Sequence, residues 1–245
     1  MTGAETPDSA DRNLRAGVDE AGKGPVLGSM FSACVVADPA DLPEDVDDSK
    51  ALSAARREEL AATIHDRAHA VAVSEITVER IDDPETDMNT LTVAAHAEAL
   101  SPVASDDLDT YLDAGDTNAV RFERRVADRI EADLDLRAEH GADENHPIVG
   151  AASIIAKVER DAHVADLADE YGAVGSGYPG DETTRAFLES YVDTNGHLPD
   201  CARECWQTCR DVLIQADQAA LDDFERGNDQ PAAGESDDQA ALDDF

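Results

Sequence analysis

The chain has 245 residues, of which 42% are hydrophobic, and its 56 acidic side chains outnumber the 19 basic ones to give a formal net charge of −37. The hydrophobic residues recur periodically, which favours a packed domain over a disordered acidic chain. Repulsion among so many carboxylates would destabilise a compact state in dilute buffer, but molar salt shortens the Debye length to about 3 Å and screens it. We interpret the charge as an adaptation to a saline interior, as in a salt-accumulating halophile, and not as the signature of a binding partner.

The sequence argues against a membrane-spanning or secreted protein. No apolar stretch approaches the roughly 18 residues that a transmembrane helix needs. Residues 1–11 are polar and acidic, unlike a signal peptide. We expect a cytoplasmic monomer that does not associate with membranes.

Four cysteines agree with a reducing compartment. Cys201, Cys205 and Cys209 are four residues apart, which predicts one stripe of a helix. Because the spacing C-x3-C-x3-C matches no usual zinc motif, we interpret them as small apolar residues on a buried face.

Apolar periodicity and turn residues predict an α/β layer fold with a mixed sheet. Ser53 is the predicted N-cap of the first helix. In chain order we predict strands over 14–18 and 28–37, a helix over 53–68, a strand over 70–78, a helix over 89–100, a strand over 110–114, a helix over 118–132, a strand over 135–139, a long helix over 147–171, a glycine-rich loop over 172–180, and helices over 181–194 and 201–223.

The same pattern predicts how the chain is divided. We expect a disordered leader over 1–12, the main domain over 13–199, a helical segment over 200–224 and a flexible acidic tail over 225–245.

The chain contains three lysines, Lys23, Lys50 and Lys157, and each lies in a motif-like stretch. All other basic side chains apart from histidine are arginine. A lysine ammonium is a compact point charge that suits a phosphate. In a sequence so poor in lysine, these three are candidates for phosphate contacts.

Pairs of carboxylates are common in so acidic a chain. The dipeptide Asp-Glu begins at positions 19, 143, 169 and 181. Only the first follows an apolar strand and precedes a Gly-x-Gly turn, whose backbone N–H groups can face a phosphate. We therefore select Asp19 and Glu20 and interpret the other three pairs as solvated surface.

Several motifs occur in an order that resembles type 2 ribonuclease H, or ribonuclease HII, over about residues 14–208. A single one would be suggestive, whereas the ordered set is specific. The motifs are Val18-Asp19-Glu20-Ala21-Gly22-Lys23-Gly24-Pro25, Asp48-Ser49-Lys50, Tyr111-Leu112-Asp113, Ala138-Glu139-His140, the stretch from Ala151 to Asp161, and Gly175-Ser176-Gly177-Tyr178-Pro179.

The resemblance implies a ribonuclease H-like fold with a mixed five-stranded sheet and four active-site carboxylates, which are Asp19, Glu20, Asp113 and Asp161 when carried over. Asp109 and Asp116 lie near the predicted strand at 110–114, but the family pattern selects Asp113. Asp161 follows Ile154 by seven residues, on the same face of the predicted helix.

The resemblance also implies the chemistry. Carboxylate oxygens suit Mg²⁺ or Mn²⁺, and two such ions would support an in-line displacement that leaves a 3′-hydroxyl and a 5′-phosphate. The expected substrates are RNA–DNA hybrids and DNA duplexes with embedded ribonucleotides, which are cut 5′ to the ribonucleotide.

The family's substrate contacts carry over to six residues. The backbone of Gly22, Lys23 and Gly24 would sense the ribose 2′-hydroxyl, and Tyr178 would pack on the sugar at the RNA–DNA junction. Lys50 and Lys157 would hold phosphates or neutralise the acidic cluster. Two positions depart from many relatives, since Lys23 replaces arginine and Gln207 replaces a basic residue.

The tail repeats itself, because residues 217–224 recur letter for letter as 238–245. Each copy contains Gln-x-x-Leu-x-x-Phe, which resembles the peptide that docks into the sliding clamp PCNA through one turn of 3₁₀ helix. The clamp-binding candidates are Gln239, Leu242 and Phe245 in the last copy, and Gln218, Leu221 and Phe224 in the first. The alternative for the first copy is a helix end packed on the core.

Two alternative functions are less consistent with the sequence. The related type 3 enzyme would need a further N-terminal domain, and 18 residues precede Asp19. A non-catalytic clamp-binding adaptor on the same scaffold is disfavoured by acidic residues at all four matched positions.

Overall fold

A computed structural model describes residues 13–48 and 52–228. Lys50 and the second tail copy, with Gln239, Leu242 and Phe245, lie outside the described residues. No helix within the described ranges is long and apolar enough to cross a membrane.

The described residues form a mixed five-stranded sheet, which confirms the predicted fold class. The strands are β1 (Arg15–Ala21), β2 (Met30–Ala37), β3 (Ala70–Ile76), β4 (Asp109–Asp113) and β5 (Asp135–Glu139), in the order β3-β2-β1-β4-β5. β2 is antiparallel to β1 and β3, whereas β1, β4 and β5 run parallel. The carboxyl ends of the three parallel strands therefore meet at one edge of the sheet, where ligands bind in open α/β sheets.

The register brings the predicted site residues together at that edge. Val18 on β1 pairs with Leu112 on β4, so Asp19 and Asp113 are the next residues on neighbouring strands. β1 is longer than predicted, because it stays paired with β2 up to Ala21 and Phe31. Asp19 and Glu20 therefore lie within a strand and not after its end.

Eight α-helices lie around the sheet within the described residues. The helices are α1 (Ala54–Arg67), α2 (Val78–Asp82), α3 (Met88–Leu100), α4 (Ala119–Ala127), α5 (Ala142–Asn145), α6 (Pro147–Tyr171), α7 (Glu182–Asn195) and α8 (Gln207–Asn228). The Ser53 side chain accepts a hydrogen bond from the N–H of Arg56, which confirms it as the N-cap of α1. The predicted bounds of α6 and β5 are confirmed.

Two apolar layers enclose the sheet. On one face the buried first half of α6, from Ile148 to Ala156, packs with α1 against β2. On the other face α3 and α4 pack against β1, with Val93 and Phe122 completely buried. From Lys157 onward α6 is only partly buried, apart from Leu167.

A third cluster joins the C-terminal helices to the end of α6, through residues such as Leu167, Leu188 and Val212. The predicted helix over 201–223 is wrong at its start, since α8 begins at Gln207 and runs to Asn228. Residues 201–203 instead pair with the chain before β2, where Gly28 donates to the carbonyl of Cys201 and Arg203 donates to that of Val26.

The cysteine stripe is wrong for the same reason. Cys201 and Cys205 precede α8, and only Cys209 lies on it. Cys201 and Cys209 are nevertheless buried, as predicted, and all three thiols are free.

The helix predicted over 118–132 ends early, at Ala127. The N–H groups of Arg129 and Ile130 bond to carbonyls three residues back, so the chain tightens into turns there.

Gly17 marks the closest approach of β1 and α6. A Cβ atom at this position would lie 2.3 Å from the carbonyl oxygen of Ile148 and 2.6 Å from the nitrogen of Val149. Both contacts are with backbone, which cannot rotate away. The strand that carries Asp19 and Glu20 can approach α6 this closely only because residue 17 has no side chain.

We predict that Gly17→Ala lowers the free energy of unfolding by roughly 3 kcal/mol, the upper part of the usual cost of overpacking. Denaturant unfolding in molar KCl measures the change. Gly180→Ala is the control, because a Cβ atom there meets nothing within 4 Å. Equal stabilities of the two variants would contradict the close crossing.

Candidate active site

Asp19 is the centre of the acidic cluster. Its side chain is 5% exposed, and its Oδ1 accepts the N–H of Glu20 at 2.7 Å. Burial, together with the charges of Glu20 and Asp113, raises the pKa of Asp19 well above its usual value, against a hydrogen bond from Ser153. Ser153 in turn accepts a hydrogen bond from Nζ of Lys157 at 2.9 Å. Lys157 thus reaches the cluster through Ser153.

Asp113 and Asp143 continue the cluster. Asp113 Oδ1 accepts the N–H of Ala142 at 3.0 Å. Burial first, and then the charges of Glu20 and Asp143, raise the pKa of Asp113. Asp143 is itself 5% exposed.

The interpretation of Asp143 as solvated surface is therefore wrong, although its neighbour Glu144 is exposed. A signal was available in the sequence. This Asp-Glu pair follows β5 just as the selected pair belongs to β1, and parallel strands end at the same edge. Strand order was needed to apply that rule.

The two remaining Asp-Glu pairs differ from each other. Asp169 and Glu170 are exposed, as predicted. Asp181 is a structural residue, because its carboxylate accepts the N–H of Ser176 at 2.6 Å and that of Thr183 at 3.0 Å. These bonds lower the pKa of Asp181 to about 2, and they join the glycine-rich loop to the start of α7.

Asp161 lines the same cleft as Glu20. Its carboxylate is bound by Arg57 at 2.6 Å and lies 3.5 Å from the guanidinium of Arg160. The catalytic role of Asp161 stays a prediction, and the buried Asp143 is a second candidate for the fourth carboxylate.

The other two acids near β4 have structural partners. Asp109, at the start of β4, lies 3.5 Å from Arg15 and 3.7 Å from Arg137. Asp116 has a buried side chain paired with Arg121 at 2.6 Å. Both observations agree with the choice of Asp113.

A cleft of about 450 Å³ opens beside the carboxylates. Among the described residues, the cleft is lined by most of the predicted substrate-binding residues. It is also lined by arginines that the sequence did not identify. The lining residues are Glu20, Ala21, Gly22, Lys23, Gly24, Arg57, Lys157, Arg160, Asp161 and Tyr178.

Arg203 orders the Gly22–Gly24 turn from below. It is completely buried, and it donates to the carbonyl oxygens of Gly22 at 2.6 Å, Lys23 at 3.0 Å and Gly28 at 2.8 Å. Burial lowers its pKa to about 10, so the guanidinium remains charged at neutral pH.

The orientation of two amide groups follows from these bonds. In a trans peptide the C=O of one residue and the N–H of the next point in opposite directions. Because the carbonyls of Gly22 and Lys23 point inward to Arg203, the N–H groups of Lys23 and Gly24 point outward to the cleft. The backbone hydrogen bonds of the described residues give neither N–H an acceptor.

Tyr178 lies opposite this turn. A Cβ atom on Gly24 would be 3.6 Å from Cε1 of Tyr178, and the ring is 43% exposed. The guanidinium of Arg160 lies 5.0 Å from the ring centroid and donates to the carbonyl of Ser176. Tyr178 thus lines the cleft and remains partly exposed.

Lys23 joins the turn to the loop after β4, because its Nζ donates to the carbonyl of Gly115. The ammonium therefore stands between the Gly-Lys-Gly turn and the loop that follows Asp113. The departure at Gln207 lies at the first residue of α8, where its amide bonds to Asp211 at 2.7 Å.

The donor set suits a hard divalent cation, since Mg²⁺ and Mn²⁺ prefer carboxylate oxygens. Residues 13–48 and 52–228 contain no three His, Cys, Asp or Glu side chains already gathered into a metal site. Each carboxylate has a protein donor instead, namely the N–H of Glu20 for Asp19, His96 for Glu20 and the N–H of Ala142 for Asp113. Their mutual repulsion is what a bound cation would relieve, so the residues fit an open site.

Comparison with known proteins agrees with this geometry. The ribonuclease HII family profile matches residues 16–209. Ribonuclease HII of Haloarcula marismortui is 64% identical over 211 residues, which is 86% of this chain and 100% of that protein. Ribonuclease HII of Halobacterium salinarum is 60% identical over 214 residues, 86% of this chain and 99% of that protein.

Solved structures show the same architecture. Ribonuclease H2 from Pyrococcus horikoshii is 34% identical with a TM-score of 0.78, covering 84% of this chain and 99% of that one. A chain in the PCNA:RNase HII complex from Archaeoglobus fulgidus is 35% identical with a TM-score of 0.70, covering 81% and 96%. A ribonuclease HIII solved with Mn²⁺ is 20% identical with a TM-score of 0.67, which shows the fold alone.

The fold and the acidic sheet edge define a nuclease of the ribonuclease H-like class. The chain belongs to the ribonuclease HII family, and it is an endonuclease of the ribonuclease H type. Both relatives named above come from halophilic archaea, which supports the expected halophile origin of this acidic chain.

We predict that Asp19→Asn raises the thermal stability of the metal-free protein at neutral pH. A carboxyl whose pKa is raised by folding destabilises the fold when charged, above that pKa. The advantage of the variant should shrink as the pH falls through the raised pKa and the native carboxyl becomes protonated. Thermal unfolding in EDTA and molar KCl, as a function of pH, measures this.

Asp181→Asn is the matched control with the opposite sign. The pKa of Asp181 is lowered to about 2, so its charge stabilises the fold above the unfolded value of about 3.9 and that contribution disappears as the pH falls toward 2. This variant should melt below the native protein at neutral pH. A destabilised Asp19→Asn would contradict the buried repulsion.

Proposed function

We propose that this enzyme hydrolyses the RNA strand of RNA–DNA hybrids and cuts DNA duplexes 5′ to embedded ribonucleotides. One observation carries the proposal. The outward N–H groups of Lys23 and Gly24 lie in the same cleft as Glu20, beside the buried Asp19. A sugar bound by those donors would bring its phosphate toward Glu20, which lines the same cleft.

Asp19, Glu20 and Asp113 would hold divalent ions, with Asp143 or Asp161 as the fourth carboxylate. When bound, two Mg²⁺ or Mn²⁺ ions would activate the attacking water and stabilise the departing oxygen. The chain itself supplies position and charge: Lys157 acts on Asp19 through Ser153. The expected products are a 3′-hydroxyl and a 5′-phosphate.

Recognition of the ribose would rest on backbone and shape. The two outward N–H groups suit the 2′-hydroxyl, which distinguishes RNA from DNA. The exposed part of Tyr178 suits a sugar on the opposite side of the cleft. Counterion release contributes little at molar salt, so a protein of net charge −37 would bind a polyanion through these local contacts.

We predict cleavage of a labelled DNA duplex with one ribonucleotide, in molar KCl with Mn²⁺ or Mg²⁺, at the phosphodiester 5′ to the ribonucleotide. An all-DNA duplex should remain intact. Cleavage of a long hybrid but not of the single-ribonucleotide duplex would contradict the junction role of Tyr178. Folded protein that cleaves neither substrate would favour the non-catalytic adaptor.

Variants in the same assay identify the fourth carboxylate. We expect Asp19→Asn and Asp143→Asn each to lose more activity than the roughly 10–100-fold typical of residues that act on a ligand indirectly. Asp161→Asn should fall within that range, because Arg57 and Arg160 bind its carboxylate. Asp169→Asn, an exposed acid, is the control. A larger loss in Asp161→Asn than in Asp143→Asn would identify Asp161 as the fourth carboxylate, as the sequence motif predicts.

We also propose that the enzyme binds the PCNA sliding clamp through its C-terminal repeats. The related Archaeoglobus fulgidus structure is a PCNA:RNase HII complex. The first copy, with Gln218, Leu221 and Phe224, lies on α8 in the structure without a partner, whereas the single 3₁₀ turn is the conformation expected of the docked peptide. Leu221 is 65% exposed, which argues against packing of its side chain on the core.

We expect deletion of residues 238–245 to weaken binding to the clamp of the same organism, measured by calorimetry, while cleavage of short duplexes is unchanged. A tail with the same eight residues in scrambled order is the matched control, because it keeps length and charge. Leu221→Ala in the deletion variant then tests the first copy. Unchanged clamp binding after deletion would exclude the last copy.

A further inference from the structure

His96 lies directly behind the active-site carboxylate Glu20. It belongs to α3, it is completely buried, and its Nε2 lies 2.7 Å from Oε2 of Glu20. The two residues are 76 positions apart in the chain, and no sequence motif links them.

The direction of this hydrogen bond follows from the chemistry of the two groups. An ionised carboxylate only accepts, so with Glu20 in that form Nε2 of His96 carries the donated hydrogen. The other ring nitrogen, Nδ1, is buried and has no hydrogen-bond partner among the described residues. The ring edge packs on Phe122, with centroids 5.0 Å apart and planes at 87°. Glu20 is therefore the one polar contact that this ring makes in the described structure.

A histidine kept only for packing does not explain this arrangement. Burying a polar nitrogen without a partner costs free energy, and a phenylalanine would fill the space between α3 and α4 without that cost. A histidine is preferable to a phenylalanine at this position only if its hydrogen bond to Glu20 has a function.

The opposite side of the Glu20 carboxylate is also confined. A Cβ atom on Gly115 would lie 3.0 Å from Oε1 of Glu20 and 2.5 Å from Cγ2 of Thr92. Glu20 thus lies in a slot between α3 and the loop after β4, and its side chain is 12% exposed. Because Oε2 is bound to His96, Oε1 is the oxygen of Glu20 that can coordinate a ligand in the cleft.

We propose that His96 is a positioning residue that fixes the Glu20 carboxylate for divalent-cation binding, an inference that rests on the proposed function. Hydrogen bonds to metal-ligating carboxylates orient the ligand and commonly change metal affinity or activity by about 10–100-fold. His96 acts through Glu20 and touches neither substrate nor reacting atoms.

Two amide variants test the proposal. The side chain of His96→Gln can place its N–H₂ where Nε2 lies, whereas that of His96→Asn reaches only to the position of Nδ1. Both bury an amide of similar polarity, but only the glutamine can bond to Glu20. Phe122→Leu is the packing control, because it disturbs the ring's neighbour and leaves the bond to Glu20 in place. Thermal unfolding identifies any variant that does not fold.

The first measurement is Mn²⁺ binding to the full chain by calorimetry, without substrate. We expect His96→Asn to bind Mn²⁺ about 10–100-fold more weakly, and His96→Gln and Phe122→Leu to bind like the native protein. In the cleavage assay, His96→Asn should lower kcat by a similar factor with KM for the duplex unchanged.

Equal Mn²⁺ affinities of the glutamine and asparagine variants would overturn the proposal, and so would a Phe122→Leu variant that reproduces the loss. The proposed cleavage activity and the positioning role of His96 are tested by separate outcomes. A native protein that binds Mn²⁺ but cleaves no ribonucleotide-containing substrate would refute the proposed function, while the Mn²⁺ comparison would still decide the role of His96.

Discussion

The burial of like charges at the carboxyl edge of the sheet is the constraint on which the rest of this structure depends. Asp19 is almost inaccessible and has Glu20 and Asp113 beside it, so its ionisation is unfavourable. A shift of β1 does not relieve this repulsion, because Gly17 holds the strand in direct contact with the backbone of α6. Stability is lower at this edge than apolar side chains would make it, and the site is poised for a cation.

A second buried charge shapes the substrate side of the cleft. Arg203 has no carboxylate among its hydrogen-bond partners in the described structure and binds three backbone carbonyls instead. Its positive charge, and the outward N–H groups of the peptides it orders, both suit the anionic substrate proposed above. Gly22, at φ +91°, can adopt the turn because it lacks a Cβ atom. Buried contacts thus fix both parts of the site: the contact of Gly17 with α6 fixes the acidic strand, and Arg203 fixes the Gly22–Gly24 turn.

The surface and the site obey different requirements. The net charge of −37 suits a saline solvent and is spread over a chain with few lysines. Positive charge is concentrated within the cleft. The ammonium of Lys23 contacts the carbonyl of Gly115, that of Lys157 contacts Ser153, and the guanidinium of Arg57 pairs with Asp161. A few placed cations therefore compensate locally for a repulsion that salt must screen elsewhere.

The sequence by itself determined the class of fold, the family and the Asp19–Gly24 motif, because strand and helix periods and contiguous motifs are local properties. It predicted β5 and α6 at their observed bounds. Only the tertiary structure decided that Asp143 is buried beside Asp113, that residues 201–203 pair with the chain before β2, and that His96 and Arg203 support Glu20 and the Gly22–Gly24 turn. Those facts depend on strand order and on contacts between residues as far as 181 positions apart. Local propensity carries no information over such distances, whereas burial and charge proximity arise only when the chain is folded.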